Sequence, residues 1–311
     1  MLSSTKLPRR KLSGVLLLDK ACGVSSNTAL QQVRRLYRAE KAGHTGVLDP
    51  LATGLLPVCF GEATKFAQYL LDADKAYEAV LKLGQATNTG DAEGEIIADV
   101  PVNVRETAFQ AACAVFIGVI KQTPPMYSAL KHQGKPLYAY ARAGVEIERK
   151  VREICIHRID ITRFEPPEAG IIVHCSKGTY IRTLAEDLAK HAGTVAHLTA
   201  LRRTQTAGFL ISQSHTLSAL SALSEAERDA LLLPCDVLVQ HLPAVRLAEN
   251  EITRLQHGLT TRAIPMQHTE NHGIISPLRV YGEDNRFIGL VSREPQTGCL
   301  KALRLMSTAA A

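Results

Sequence analysis

The residues best placed to do chemistry lie in one run of twelve, Gly43-His44-Thr45-Gly46-Val47-Leu48-Asp49-Pro50-Leu51-Ala52-Thr53-Gly54. It sets one carboxylate, Asp49, and one imidazole, His44, among three glycines and a proline. Glycine opens backbone conformations that other residues resist, and the residue before proline is driven out of the helical region, so this is a built loop. A carboxylate held on a rigid turn can attack a carbon or take a proton. The ordinary reading of Asp-Pro is an Asx-turn, and both stay open at this point. A phosphate cradle is excluded, because the run ends Ala52-Thr53-Gly54 where a P-loop needs Gly-Lys-Ser/Thr. Neither Lys nor Arg lies inside the run, so any charge partner for Asp49 comes from elsewhere in the chain.

Apolar periodicity outlines the elements that must hold such a loop. Val15–Leu18 and Leu55–Phe60 read as buried strands flanking it. Ser25–Arg38 reads as an amphipathic helix, capped by Ser26, with Leu30, Val33, Leu36 and Tyr37 on one face. Ala63–Leu71 reads as a short helix. Tyr77–Leu83 is a strand with Tyr77, Ala79, Leu81 and Leu83 on one face. Helical periodicity spans Arg105–Ile120, and a further helix enters at Pro136 over Lys135–Arg142. Ile154–Ile161 alternates with a slipped register between Ile156 and Ile159, which predicts a bulge. Ile171–Cys175 is a strand leading through Ser176-Lys177-Gly178-Thr179 into a helix bearing Arg182, and Val195–Arg203 is another strand. Ser224-Glu225-Ala226-Glu227 fits a capping box. After Pro234 the texture changes: a helix from Glu249 to His257 stops at Gly258, followed by strands Leu278–Tyr281, Phe287–Val291 and Leu300–Leu305. Between Pro265 and Pro277 the pattern weakens, in a hydrophilic stretch with His268 and His272 and, nearby, His257.

At 311 residues, 46% apolar and 21% charged, the chain can bury a large core and hold two domains. No apolar run approaches eighteen uncharged residues, and Val15–Leu18 is too short for a signal-peptide core, so the cytoplasm is the expected compartment. Seven cysteines, none closer than Cys155 and Cys175, argue against a zinc site and a disulfide framework. The net charge of +6 is unevenly spread. Lys6, Arg9, Arg10 and Lys11 have no acid nearby in sequence, and Arg34, Arg35, Arg38 and Lys41 are offset only by Glu40. Such patches suit a polyanion, or simply a solvated surface.

The stretch Gly43–Lys65 resembles the signature motif of the bacterial tRNA pseudouridine synthase B family, the tRNA pseudouridine(55) synthases. The likeness runs in unbroken order over roughly residues 12–210. It takes in Gly14–Lys20, Asp74–Tyr77, Leu83–Asp91, Pro125–Lys131, Cys175–Leu184 and Leu201–Thr204, and it loosens over the last seventy residues.

The resemblance implies an α+β fold: a catalytic domain with a central mixed, mainly antiparallel sheet, over residues 1–240, and a small PUA-like β-barrel that binds RNA, over 241–311. It implies isomerisation of uridine 55 in the T-loop of tRNA, by a monomer without metal or cofactor. The reaction involves no redox change: the N1–C1′ bond breaks, the base turns, and C5 is joined to C1′ as C5 loses a proton and N1 gains one. Asp49 is implied as the catalytic carboxylate and Arg182 as its partner. Tyr77 matches the tyrosine that packs on the target base, and its phenol can help remove the C5 proton. Tyr180 matches a second pocket residue, Leu201 the apolar wall, and His44 the histidine that fills the space left by the flipped uridine. Lys20 matches a lysine with a structural or phosphate role, and Asp91 falls in an RNA-contacting segment. Two rival readings are a non-catalytic RNA-binding or tRNA-folding protein, which would not need Asp49, and a nucleosidase, which would release free uracil.

Overall fold

The computed structural model describes residues 8–262 and 277–307. A ten-stranded mixed sheet forms its centre. The strands and helices used below are β1 Gly14–Lys20, α1 Ser26–Leu36, β2 Ala42–His44, β3 Thr53–Phe60, β4 Lys75–Leu83, α2 Glu106–Val115, β5 Gly118–Gln122, β6 Arg152–Glu165, β7 Glu168–Cys175, α3 Ile181–His191, β8 Ala196–Thr206 and β9 His215–Thr216. The order across the sheet is β9-β1-β3-β8-β4-β7-β6-β5, with β2 and the short Phe209–Leu210 strand attached beside it. Pairings β1 with β9 and β3 with β8 are parallel, and the others along this path are antiparallel. The bulge expected in β6 lies between Ile156 and Arg158.

The sheet is buried on both faces, which is why its strands read as apolar runs rather than alternating ones. Leu16 and Leu18 of β1 join Leu56, Val58 and Phe60 of β3 in one core, shared with α1 and α3. Val15, Leu17, Leu55 and Cys59 point the other way into a second core with Phe66, Leu238 and Val239. In β4, Tyr77, Ala79, Leu81 and Leu83 all face the first core, as their spacing predicts.

Several local readings are corrected by tertiary structure. The cap of α1 is Ser25, whose Oγ accepts from Thr28 N at 3.0 Å, while Ser26 is buried in the first turn. The segment 63–71 forms two short 3₁₀ turns, Gly61–Lys65 and Ala67–Leu70, in place of one helix. The helical stretch from Arg105 ends at Val115. The chain then turns at Gly118, whose φ of +103° favours glycine, into the edge strand β5.

After residue 240 a second sheet takes strands Ala244–Arg246, Leu278–Tyr281, Phe287–Arg293 and Leu300–Leu305, in that spatial order. A helix at Glu249–Gln256 packs on it through Ile252 and Leu255 and ends at Gly258, with φ +78°. This unit is joined to the main body by apolar contact: the Phe287 and Phe66 rings meet edge-on at 5.2 Å, and Leu290 and Met306 lie in the second core. The Tyr281 hydroxyl also donates to Asp236 Oδ2 at 2.7 Å. The weak-pattern stretch with His268 and His272 lies outside the described residues.

Candidate active site

Asp49 sits in the loop between β2 and β3. Gly46, with φ +87°, turns the chain inside this loop, and a Cβ on Gly54 at its end would collide with the backbone of Arg203. A turn bond from Ala52 N to Asp49 O, 3.1 Å, closes the loop behind the carboxylate. About a third of the Asp49 side chain, 35%, stays open to solvent.

The charge partner missing from the loop arrives from the first turn of α3. Arg182 Nε lies 3.0 Å from Asp49 Oδ2, and the arginine side chain is only 5% exposed. The contact is single, through Nε, because the fork is otherwise engaged. Nη1 donates to Thr89 O at 2.8 Å and lies 3.5 Å from Asp91 Oδ2, while Nη2 donates to Tyr127 O at 2.7 Å. Asp91 is therefore a buried anchor: its side chain is 3% exposed, and its Oδ1 accepts from Thr89 Oγ1 at 2.7 Å and Glu93 N at 3.1 Å. In the fold its side chain serves Arg182 and its own turn. Burial pushes the Asp49 carboxyl above the ordinary carboxylate value, and the Arg182 guanidinium opposes that rise without cancelling it.

Lys20, at the end of β1, is 1% exposed. Its Nζ donates to the carbonyls of Val24 at 2.7 Å, Ala21 at 2.9 Å and Pro50 at 3.3 Å. Of the two roles foreseen for it, this arrangement favours the structural one: the ammonium ties the residue after Asp49 to the β1–α1 turn. Gly23 N holds the same Pro50 carbonyl at 2.9 Å. Burial pulls the Lys20 pKa below the usual lysine value.

Tyr77 and Leu201 come from adjacent central strands and are 7% and 8% exposed. Arg203 pairs with Tyr77 across β8 and β4. Burial raises the Tyr77 phenol above its usual pKa, and the Arg203 charge pulls against that. Arg203 is a site residue that sequence reasoning missed: it is 1% exposed, its Nε donates to Leu55 O at 2.7 Å, and its Nη2 has no partner among the described residues. Tyr180 immediately precedes α3. Its backbone is bracketed by buried Gln122, which donates to Tyr180 O at 3.1 Å and accepts from Tyr180 N at 2.8 Å. His44 ends β2; burial lowers its pKa, which favours the neutral ring, and Nδ1 is buried without a partner among the described residues.

The structure thus gathers Asp49, Arg182 and Lys20 about one loop, and Tyr77 and Leu201 on strands beside it. Part of the basic surface read from sequence is neutralised in the fold: Arg10 pairs with Asp229 and Arg38 with Glu225. Among the described residues no three His, Cys, Asp or Glu side chains gather as a metal-binding group, and no helix is long and apolar enough to cross a membrane.

Fold and loop together are those of a pseudouridylate synthase. Residues 34–181 match the N-terminal domain model of the TruB family pseudouridylate synthases, and residues 182–240 match the tRNA pseudouridylate synthase B C-terminal domain. The tRNA pseudouridine synthase B of Neisseria meningitidis serogroup B is 62% identical over 309 residues, covering 99% of each chain. That of Chromobacterium violaceum is 50% identical over 310 residues, also covering 99% of each. A solved Cbf5-Nop10-Gar1 complex shares the fold with a TM-score of 0.71 at 25% identity, over 94% of this chain and 84% of the other. The chain belongs to the tRNA pseudouridine synthase B family, whose members are isomerases.

Proposed function

We propose that this enzyme converts uridine 55 in the T-loop of tRNA to pseudouridine, with Asp49 as the carboxylate that acts on the nucleoside. The observation that carries the assignment is the Asp49–Arg182 contact: a carboxylate partly open to solvent, aimed by an arginine that is itself buried and fixed by three further groups. A carboxylate oriented in this way by a spent cation is prepared to act on a substrate rather than to hold the fold together. Tyr77, Tyr180 and Leu201 form the walls against the base, and His44, neutral and with an unpaired ring nitrogen, takes the place of the extruded uridine. Lys20 holds the loop from below. The enzyme works in the cytoplasm as a monomer, without metal or cofactor.

Incubating the protein with an unmodified tRNA transcript and mapping pseudouridine chemically tests the reading. Conversion at position 55 is expected. Binding without conversion would favour an RNA-folding role, and free uracil among the products would favour a nucleosidase.

His44→Ala is expected to slow reaction on folded tRNA by about tenfold or more, since extrusion costs a few kcal/mol. A short RNA with the target base already unstacked should recover part of the loss. Equal defects on the two substrates would remove His44 from the flipping step.

We also propose the division into residues 1–240 and 241–311, the second part adding tRNA affinity. The shared apolar contact of Phe66 with Phe287 means that cutting after residue 240 uncovers aromatic surface. The shortened chain is expected to aggregate more readily, to bind tRNA at least about tenfold more weakly, and to keep most of its rate at saturation. Unchanged affinity would end the RNA-binding role of the tail, and failure to fold would show one indivisible core.

A further inference from the structure

We propose that Ser26 is a positioning residue for Asp49: its hydroxyl clamps the backbone of Leu48 and so sets the peptide from which the catalytic carboxylate projects. The inference rests on Asp49 being the catalytic group.

The hydroxyl is free for this task because its neighbour does the helix's work. Ser25 caps α1, and its side chain serves Thr28. Ser26 Oγ instead accepts from Leu48 N at 2.7 Å and donates to Leu48 O at 2.9 Å. Ser26 and Leu48 are each 3% exposed, and neither backbone group of Leu48 has a backbone partner among the described residues. One side chain therefore satisfies both buried polar groups of the residue before Asp49. A hydroxyl can do this because it donates and accepts at the same atom.

The carbonyl of Leu48 belongs to the peptide that enters Asp49, so holding it fixes the direction of the Asp49 side chain toward Arg182. On the far side the loop is held independently, through Pro50 O by Gly23 N and Lys20 Nζ. On the near side, Ser26 is the tie at Leu48. Removing its hydroxyl strands two buried polar groups, and the loop relieves them by turning the Leu48–Asp49 peptide, which loosens the Arg182 contact. A displacement of about an ångström at a reacting group costs up to about a hundredfold in rate.

The test uses the full chain, unmodified tRNA and three variants. Ser26→Ala is expected to lower kcat by about ten- to a hundredfold with the KM for tRNA within a few-fold, since no RNA contact is touched. As the Arg182 contact loosens, burial acts on Asp49 less opposed, so the acid limb of the kcat profile moves to higher pH by about half a unit or more. Ser26→Thr, which keeps a hydroxyl, is expected to restore the rate. Ser26→Cys, which keeps the volume but bonds weakly, is expected to behave like the alanine variant. If the alanine variant does not fold, the threonine and cysteine variants carry the comparison alone. A rate within twofold of the parent for Ser26→Ala, or full activity in Ser26→Cys, overturns the proposal. So does a loss of rate with an unmoved acid limb. Asp49→Asn is measured in parallel: if it stays active, the catalytic reading of Asp49 fails, whereas a dead Asp49→Asn beside a normal Ser26→Ala sinks only the clamp.

Discussion

Asp49→Asn is expected to lower pseudouridine formation at saturating tRNA by at least about a thousandfold, some 4 kcal/mol of barrier. The substitution keeps the size of the side chain and removes its charge, and with it the ability to attack carbon or hold a proton. The surrounding structure has little reason to change. Arg182 remains fixed by Thr89 O, Asp91 and Tyr127 O, and the loop remains tied at Leu48 and Pro50. Binding should stay within a few-fold, since losing one negative charge does not weaken attraction to a polyanion. Single-turnover rates and filter binding on the same preparation separate the two effects. A variant that keeps a tenth of the parent rate would show that Asp49 is not the catalytic carboxylate.

Arg182→Lys is expected to cost about a hundredfold, close to 2.7 kcal/mol, although the charge is kept. The contact with Asp49 is one bond from Nε, so the loss does not come from breaking a two-pronged pair. It comes from the guanidinium meeting Asp49, Asp91, Thr89 O and Tyr127 O together in fixed directions. An ammonium is a point charge on a flexible stem and cannot reach all four. The buried Asp91 then loses its fixed contact with the guanidinium, and thermal stability should fall as well. The proposed role of Asp49 needs the ionised form, and its pKa is already raised by burial. With less opposition from residue 182 it rises further, so activity on acidification is lost at a higher pH than in the parent. Near-normal rates with an unshifted acid limb would show that Arg182 does not orient the carboxylate.

What could be read from the sequence follows from the range of the interactions. The Asp49 loop, the strands beside it and the capping box at Ser224 are set by neighbours a few residues apart, and each stands where the sequence placed it. Arg182 was legible only through its motif, because no local pattern says that an arginine meets a carboxylate far earlier in the chain. The pairing of Asp91 with Arg182 was not legible for the same reason, since it forms only when α3 packs over the turn. Adjacent Ser25 and Ser26 are equally good caps in isolation, and only Leu48 distinguishes them. Arg203, fully buried, has nothing in its neighbours to foretell that burial. The helix beyond Val115 failed because an edge strand accepts exposed apolar residues such as Val119, which mimic helical spacing.

Strand β8 lies between β3 and β4, pairing Arg202 and Arg203 with Thr53 and Gly54 on one side and Leu201 with Ala79 on the other. Strands consecutive along the main sheet's chain path are thus held apart by one synthesised more than a hundred residues later. During translation, the open flanks of β3 and β4 must wait for β8, without ladder partners on those sides. Closing so long a loop is slow, and unpaired flanks of apolar strands invite wrong pairing. Arg182 arrives just ahead of the residues that join β3 to β4, and Leu201 is one of those residues. A nascent chain stalled before residue 206 therefore holds Asp49 and Tyr77 but lacks a completed sheet to set them in. Catalytic competence thus arrives late in the synthesis of the main sheet, and this region is where a chaperone would have most to shield.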